Sequence, residues 1–245
     1  MDRAAVARRV IPLVDLTTLA DDDTDERVRA LCERAAATGV AAVCIYPRFV
    51  AVAVEALADA TTVDGSRIAV ATVVNFPAGT DAVDDIVAET ERAIADGADE
   101  IDLVVPFGAA LAGDLDAIET TVRRIDEVCG DRHLKTILET GALADLDLIG
   151  AVARRAIAGG ADFLKTSTGK IAVGATLDAA RVMLEAIAEN DRRVGIKLSG
   201  GVRTLDDAAD YLDLIDHMMG PGWVSPATVR FGASGLLDDL LAARA

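Results

Sequence analysis

The chain has 245 residues, of which 52% are hydrophobic and only 3% aromatic, with 24 Lys and Arg against 41 Asp and Glu, a formal charge of −17. Such a field repels phosphate backbones and anionic membrane surfaces, so nucleic-acid and lipid-surface partners are excluded and any anionic ligand needs a locally positive pocket. The apolar residues are mainly Ala, Val, Leu and Ile, suited to buried parallel strands under Ala-rich helices.

The segment MDRAAVARRV carries no apolar core of a leader, and no apolar run is long enough to span a bilayer, so a cytoplasmic setting is expected. From there, short apolar runs predict strands at Val10–Leu16, Ala41–Tyr46, Ile68–Asn75, Glu100–Val105, His133–Glu139, Asp162–Thr166, Val194–Leu198 and Val229–Gly232. Helical periodicity fills the gaps between them. Thr24–Thr38 stops at Gly39, Asp81–Asp96 at Gly97, and Asp145–Ala158 at Gly159 and Gly160, glycines that suit a left-handed C-cap. Asp114, Asp145 and Thr176 stand where N-caps belong.

Strand and helix alternate to the end without a composition break or linker. This predicts one closed (β/α)8 barrel, the TIM-barrel class of α/β fold, as a single domain over residues 1–245. An open doubly wound sheet is the main alternative, but the first strand leads into Asp15-Leu-Thr-Thr-Leu19 rather than a glycine fingerprint.

An internal repeat adds detail. Ala93-Ile-Ala-Asp-Gly-Ala-Asp-Glu-Ile-Asp102 matches Ala156-Ile-Ala-Gly-Gly-Ala-Asp-Phe-Leu-Lys165, with a weaker copy over residues 36–44. In each copy a glycine ends a helix, and the residue five later lies inside a strand. Those residues are Cys44, Asp102 and Lys165, on strands two, four and six. Alternate strands of a barrel feed the same interior layer, so the three are expected to face one another.

The chain has four lysines, Lys135, Lys165, Lys170 and Lys197, and its helices have none. Three lie in strand runs and the fourth just after strand six. An exposed or ion-paired position is the ordinary reading for a lysine, but a closed barrel leaves its strands little solvated face. An amine attacks a carbonyl only when unprotonated, and burial beside a second ammonium lowers its pKa. Lys165 and Lys197 are expected on adjacent strands, with Asp102 as the proton-transferring carboxylate or simply as a counter-ion.

Three Gly/Ser/Thr clusters follow consecutive strands: Thr166-Ser-Thr-Gly-Lys170, Ser199-Gly-Gly-Val-Arg-Thr204 and Gly232-Ala-Ser-Gly235. Such loops let backbone approach an anion, and barrels often hold phosphate after strands seven and eight. The cysteines, Cys32, Cys44 and Cys129, form no disulfide framework, and His133 and His217 form no His-x-His pair.

Taken together, Leu13-Val-Asp-Leu-Thr-Thr-Leu19, Cys44-Ile-Tyr-Pro-Arg-Phe49, Val74-Asn-Phe-Pro-Ala-Gly79, Gly97-Ala-Asp-Glu-Ile-Asp102, Leu134-Lys-Thr-Ile-Leu-Glu-Thr-Gly141, Phe163-Leu-Lys-Thr-Ser-Thr-Gly-Lys170, Gly195-Ile-Lys197, Gly200-Gly-Val-Arg-Thr204 and Arg230-Phe-Gly-Ala-Ser234 resemble the deoxyribose-phosphate aldolase family. The resemblance implies a class I aldolase that reversibly cleaves 2-deoxy-D-ribose 5-phosphate to acetaldehyde and D-glyceraldehyde 3-phosphate. It implies Lys165 as the Schiff-base lysine, Lys197 as the perturbing ammonium and Asp102 in proton transfer. It implies Asp15, Thr17 and Cys44 at the acetaldehyde end, and Thr168, Lys170, Gly200, Gly201, Gly232 and Ser234 at the hydroxyl and phosphate end. No cofactor or metal is implied. The partners are small-molecule sugar phosphate and aldehydes, with no nucleic acid and no membrane, and the chain works alone or as a homodimer.

The chain departs from the family pattern at Leu198-Ser199, where relatives often carry Pro-Ala, and at Gly235, where many have a second serine. The sequence ends at Ala245 without the tyrosine-ended tail of some members; where that tail assists proton transfer, slower turnover or the use of another group is expected here. Another Schiff-base barrel aldolase and a non-catalytic sugar-phosphate sensor are the rival readings. A sensor would need no nucleophile.

Overall fold

The computed structural model describes residues 2–244. The domain limits expected at 1 and 245 lie just outside them. In chain order the elements are α1 (Arg3–Val10), β1 (Val14–Thr17), α2 (Asp25–Thr38), β2 (Ala42–Ile45), α3 (Val50–Ala56), β3 (Ala69–Val74), α4 (Val83–Ala95), β4 (Glu100–Val104) and α5 (Phe107–Leu111). There follow α6 (Asp116–Cys129), β5 (His133–Ile137), α7 (Thr140–Leu143), α8 (Leu146–Gly159), β6 (Phe163–Lys165), α9 (Leu177–Ala188), β7 (Gly195–Ser199), α10 (Leu205–Met219), β8 (Val229–Ala233) and α11 (Leu236–Arg244). The strands pair in sequence order, all parallel, and β8 closes on β1, so the sheet is the expected barrel.

The capping residues do the expected work. Thr24, Asp145 and Thr176 accept hydrogen bonds from the first turns of α2, α8 and α9, and Gly39 and Gly160 close α2 and α8 in the left-handed region. Asp114 stands one residue before the assigned cap, Leu115, yet its carboxylate accepts from Ala117 N–H at 3.1 Å.

The first strand is the main departure. Val10–Leu13, expected as its start, forms the end of α1 and a 3-10 turn at Ile11–Leu13. Pro12 sits at the start of that turn, where its fixed φ and missing N–H cost nothing. Strands β2 to β6 stop one or two residues short of their expected ends, and at β3 and β5 the backbone shows why. Asn75 and Glu139 adopt φ of 56° and 54°, which turns the chain out of the sheet. Asn75 fixes its turn by donating to Val104 O at 2.8 Å and accepting from Asp81 N–H at 3.0 Å.

Hydrophobic burial fills the shell between sheet and helices, with Leu16, Val43, Ile101, Leu164, Ile196 and Phe231 fully buried beside helix residues such as Val122, Ala153 and Leu184. The barrel axis is different. There the side chains are largely charged, and they build the site.

Candidate active site

Register places the charges. Asp102 pairs with Lys135 across β4 and β5, Lys165 with Lys197 across β6 and β7, and Lys197 with Arg230 across β7 and β8. Lys165 Nζ donates to Asp102 Oδ2 at 2.7 Å, and Lys197 Nζ donates to the same oxygen at 2.7 Å. Lys135 Nζ takes the other oxygen of Asp102 at 2.9 Å and Glu100 Oε2 at 2.5 Å. Lys197 Nζ also lies 2.5 Å from Asp15 Oδ2. Arg230 closes the cluster from below, with Nη1 donating to Asp15 Oδ1 at 2.6 Å and Nη2 to Glu100 Oε1 at 2.9 Å.

Cys44 Sγ lies 3.8 Å from Asp102 Oδ2. Cys44, Asp102 and Lys165 therefore meet in one layer, as the repeat predicts.

Four cations, Lys135, Lys165, Lys197 and Arg230, face three carboxylates, Asp15, Glu100 and Asp102, with little water to screen them. Lys135, Lys197, Asp15 and Asp102 are 0% exposed and Lys165 is 3% exposed. Neutrality requires one cation to give up its proton, because an uncompensated buried charge is costly. Burial pushes Lys165 down, and its single carboxylate partner, Asp102, does not offset that; Lys197 adds to the fall. Burial also pushes Lys197 down, but Asp102 and Asp15 together hold it well above the usual lysine range. Asp102 and Glu100 outweigh burial at Lys135 in the same way. At Asp102 burial raises the pKa, yet Lys135, Lys165 and Lys197 hold it well below the ordinary carboxylate range. Lys165 is thus the amine left to be neutral. Of the two causes expected for this, burial contributes more than the Lys197 ammonium.

Lys165 is also the cluster cation that opens upward. Among the described residues, a cavity of about 460 Å³ at the C-terminal ends of the strands is lined by Lys165, and not by Lys135, Lys197 or Arg230. Of the other expected site residues, Thr17, Thr168, Lys170, Gly200, Gly201, Gly232 and Ser234 line this cavity. Asp15 and Cys44 do not. Both are fully buried, as Asp102 is; Asp15 is held by Lys197 and Arg230, and Cys44 stands against Asp102.

The upper rim is cationic and glycine-rich. Lys170 reaches across the mouth to donate to Leu19 O at 2.6 Å, 3.8 Å from Asp21. Arg203 also lines the cavity, a cation the motif contains but sequence reasoning did not assign. Thr168 donates its hydroxyl to Glu139 Oε2 and its N–H to Oε1, and Lys170 N–H donates back to Thr168 Oγ1 at 3.1 Å. The loops after β6 and β7 touch through backbone: Ala175 N–H donates to Gly200 O at 2.8 Å. Gly232 has a second use besides the rim. A Cβ there would lie 3.0 Å from Lys197 Cε, so the glycine leaves room for that side chain. Glu100 and Arg230, the lower half of the cluster, went unassigned in the sequence.

Residues 9–239 match a family model described as the DeoC/LacD family aldolase. The chain is 49% identical over 238 residues to a deoxyribose-phosphate aldolase of Agrobacterium fabrum, covering 96% of this chain and 90% of that protein. A crystal structure of a Toxoplasma gondii protein provisionally described as a deoxyribose-phosphate aldolase superposes with a TM-score of 0.89 at 30% identity, covering 99% of this chain and 97% of that one. A tetrameric deoxyribose phosphate aldolase of Aeropyrum pernix shares the fold, with a TM-score of 0.75 at 21% identity over 98% of this chain and 96% of that one.

Proposed function

The chain belongs to the DeoC/LacD aldolase family, and we propose that Lys165 is the nucleophile with which it reversibly cleaves 2-deoxy-D-ribose 5-phosphate to acetaldehyde and D-glyceraldehyde 3-phosphate. The observation that carries the assignment is the position of Lys165: the cluster amine with one carboxylate partner is also the one that lines the upper cavity.

The chemistry follows from that amine. Neutral Lys165 adds to the open-chain aldehyde, and loss of water gives an iminium that accepts the electron pair of the breaking C2–C3 bond. The C3 hydroxyl loses its proton as glyceraldehyde 3-phosphate departs. The enamine left on Lys165 is then protonated at C2, and water releases acetaldehyde and the free amine. Asp102 and protonated Lys197, both in contact with the lysine nitrogen or its partner oxygen, are the groups placed to pass these protons. The rim residues Thr168, Lys170, Gly200, Gly201 and Ser234, with Arg203 beside them, take the phosphate and hydroxyl end. Backbone N–H groups and two cations there offset the repulsion of a −17 chain.

Small-molecule partners, a homodimer and a cytoplasmic setting belong to the same reading; sedimentation and cell fractionation check the last two. The central experiment is borohydride reduction with acetaldehyde, followed by peptide mass spectrometry. An ethyl adduct on Lys165 is expected. Its absence there, or an adduct on another lysine, removes the assignment.

A further inference from the structure

The lower half of the charge cluster reaches a second opening of the barrel. Among the described residues, a cavity of about 620 Å³ lies at the N-terminal ends of the strands, lined by Glu100, His133, Arg230 and the Arg67–Asp99 pair. Arg230 runs inward from it. Its Nε donates to Pro226 O at 2.5 Å, its guanidinium lies 5.8 Å from the Phe163 ring centre, and its two Nη atoms hold Asp15 and Glu100. It does not line the upper cavity.

Each carboxylate that Arg230 holds also holds a lysine, and each of those lysines is shared with Asp102. Asp15 and Asp102 divide Lys197, at 2.5 Å and 2.7 Å. Glu100 and Asp102 divide Lys135, at 2.5 Å and 2.9 Å. Asp102 in turn has one further cationic partner, Lys165.

We propose that Arg230 and Glu100 are positioning residues for the Schiff-base reaction, acting through Asp15, Lys135 and Lys197 to set how much of the Asp102 charge falls on Lys165. The proposal rests on Lys165 being the nucleophile. Without Arg230, Asp15 and Glu100 draw Lys197 and Lys135 downward, Asp102 is left short of positive charge, and Lys165 takes a proton to supply it. Without Glu100, Lys135 turns wholly to Asp102 and Arg230 to Asp15, which frees Lys197 for Asp102 and relieves Lys165. Opposite ends of one ion pair therefore push the nucleophile in opposite directions. The groups facing Lys165 are Asp102 from β4, Lys197 from β7, Cys44 from β2 and Glu139 after β5. Those facing Arg230 are Asp15 from β1 and Glu100 from β4, and the groups facing Glu100 include Lys135 and His133 from β5.

The test is the pH dependence of imine formation with acetaldehyde, which has no titratable group, using timed exposures quenched by borohydride at one fixed pH. In Arg230→Met the acid limb should move up by about one pH unit or more, and in Glu100→Gln it should move down. The double variant, which loses one cation and one carboxylate and so keeps the wild-type excess of a single cation, should return close to the wild-type limb. Arg230→Ala should be partly rescued by added guanidinium, which the lower cavity has room to admit. Shifts of the same sign in both single variants, or lower rates with an unmoved limb, overturn the proposal. Should Arg230→Met fail to fold, Arg230→Lys makes the comparison: a single amine cannot serve both carboxylates as a guanidinium does, so an upward shift is expected and an unmoved limb refutes it. A wild-type protein that gives no Lys165 adduct sinks the nucleophile assignment itself; a wild type that traps normally, with limbs that do not diverge, sinks only the role of Arg230 and Glu100.

Discussion

Lys165 and Lys197 stand level on adjacent strands and aim both amines at one oxygen, Oδ2 of Asp102, at 2.7 Å each. What separates them is Asp15, 2.5 Å from Lys197 and not in contact with Lys165. A unit charge pair at about 4 Å and an effective dielectric of about 20 is worth about 4 kcal/mol, or about 3 pKa units. One carboxylate is therefore enough to make two like residues differ, Lys197 held charged and Lys165 pressed toward neutrality by burial.

Replacing Lys197 by Leu should remove the ammonium that shares Asp102 and leave Lys165 as the remaining donor to that oxygen. Its proton is then held more firmly, so the amine becomes reactive only at higher pH. We expect kcat/KM for deoxyribose 5-phosphate to fall by about 100-fold or more at neutral pH, with partial recovery on the alkaline side. A pH–rate profile checks this. A uniform loss at every pH would mean that the Leu side chain merely disturbs the barrel, and a near-normal profile would mean that Lys197 has no hold on Lys165.

Asp102→Asn should separate imine formation from turnover. The variant leaves Lys135, Lys165 and Lys197 around a neutral amide, so Lys165 stays deprotonated and acetaldehyde should still trap on it, while cleavage falls by about 100-fold. Stability should fall too, by about 3–5 kcal/mol at neutral pH, since a buried network loses its central anion. The pH dependence has a definite sign. Burial opposes it, but the three lysines hold the folded-state pKa of Asp102 well below the ordinary range. Its contribution is therefore present above that range and lost as pH falls toward the folded value. Denaturation midpoints of wild type and variant should thus converge on acidification; a gap that widens in acid contradicts the pairing.

Lys170→Met probes the rim. The Lys170 ammonium sits partly exposed at the mouth, tied to Leu19 O and the edge of Asp21 and set 5.9 Å from the Tyr46 ring centre, free to turn to an arriving anion. A charged contact contributes about 1.5–3 kcal/mol, so KM for deoxyribose 5-phosphate should rise about 10- to 100-fold with kcat little changed. Unphosphorylated deoxyribose should be indifferent to the substitution. Steady-state kinetics on both sugars decide the matter, and an equal loss on the two would place Lys170 outside phosphate recognition.

The barrel was legible because its order is carried by alternation, which survives errors at strand ends. Those errors have local causes. Val10–Leu13 is as apolar as a strand, and only Pro12 hints at the turn it forms; Asn75 and Glu139 leave the sheet by left-handed backbone that composition does not mark. Asp102 and Lys165 could be brought together because each stands five residues beyond a helix-ending glycine. Arg230 could not be placed. Its partners Asp15 and Glu100 lie 215 and 130 residues away, and they meet only because the sheet closes and its interior residues share a common depth. Depth is likewise what keeps Asp15 and Cys44, both fully buried, off the cavity wall.

Gly174→Ala tests whether the two phosphate-end loops act as one unit. Gly174 lies against the Gly200 backbone, and a Cβ there would overlap the Gly200 carbonyl oxygen. That oxygen accepts from Ala175 N–H at 2.8 Å, and Gly200 itself has φ of +75°, so neither backbone can yield by changing a rotamer. The loops must separate. Overpacking of this kind costs about 1–3 kcal/mol, and Tm should drop by about 2–4 °C for each kcal/mol. Because Gly200 and Gly201 line the cavity and Lys165 belongs to the sheet, KM for deoxyribose 5-phosphate should rise while acetaldehyde still traps on Lys165 as in wild type. Gly222→Ala is the matched control, since a Cβ there meets nothing within 4 Å and should leave both Tm and KM unchanged. If Gly174→Ala lowers Tm and leaves KM alone, the loop crossing is a matter of stability and the phosphate is gripped elsewhere.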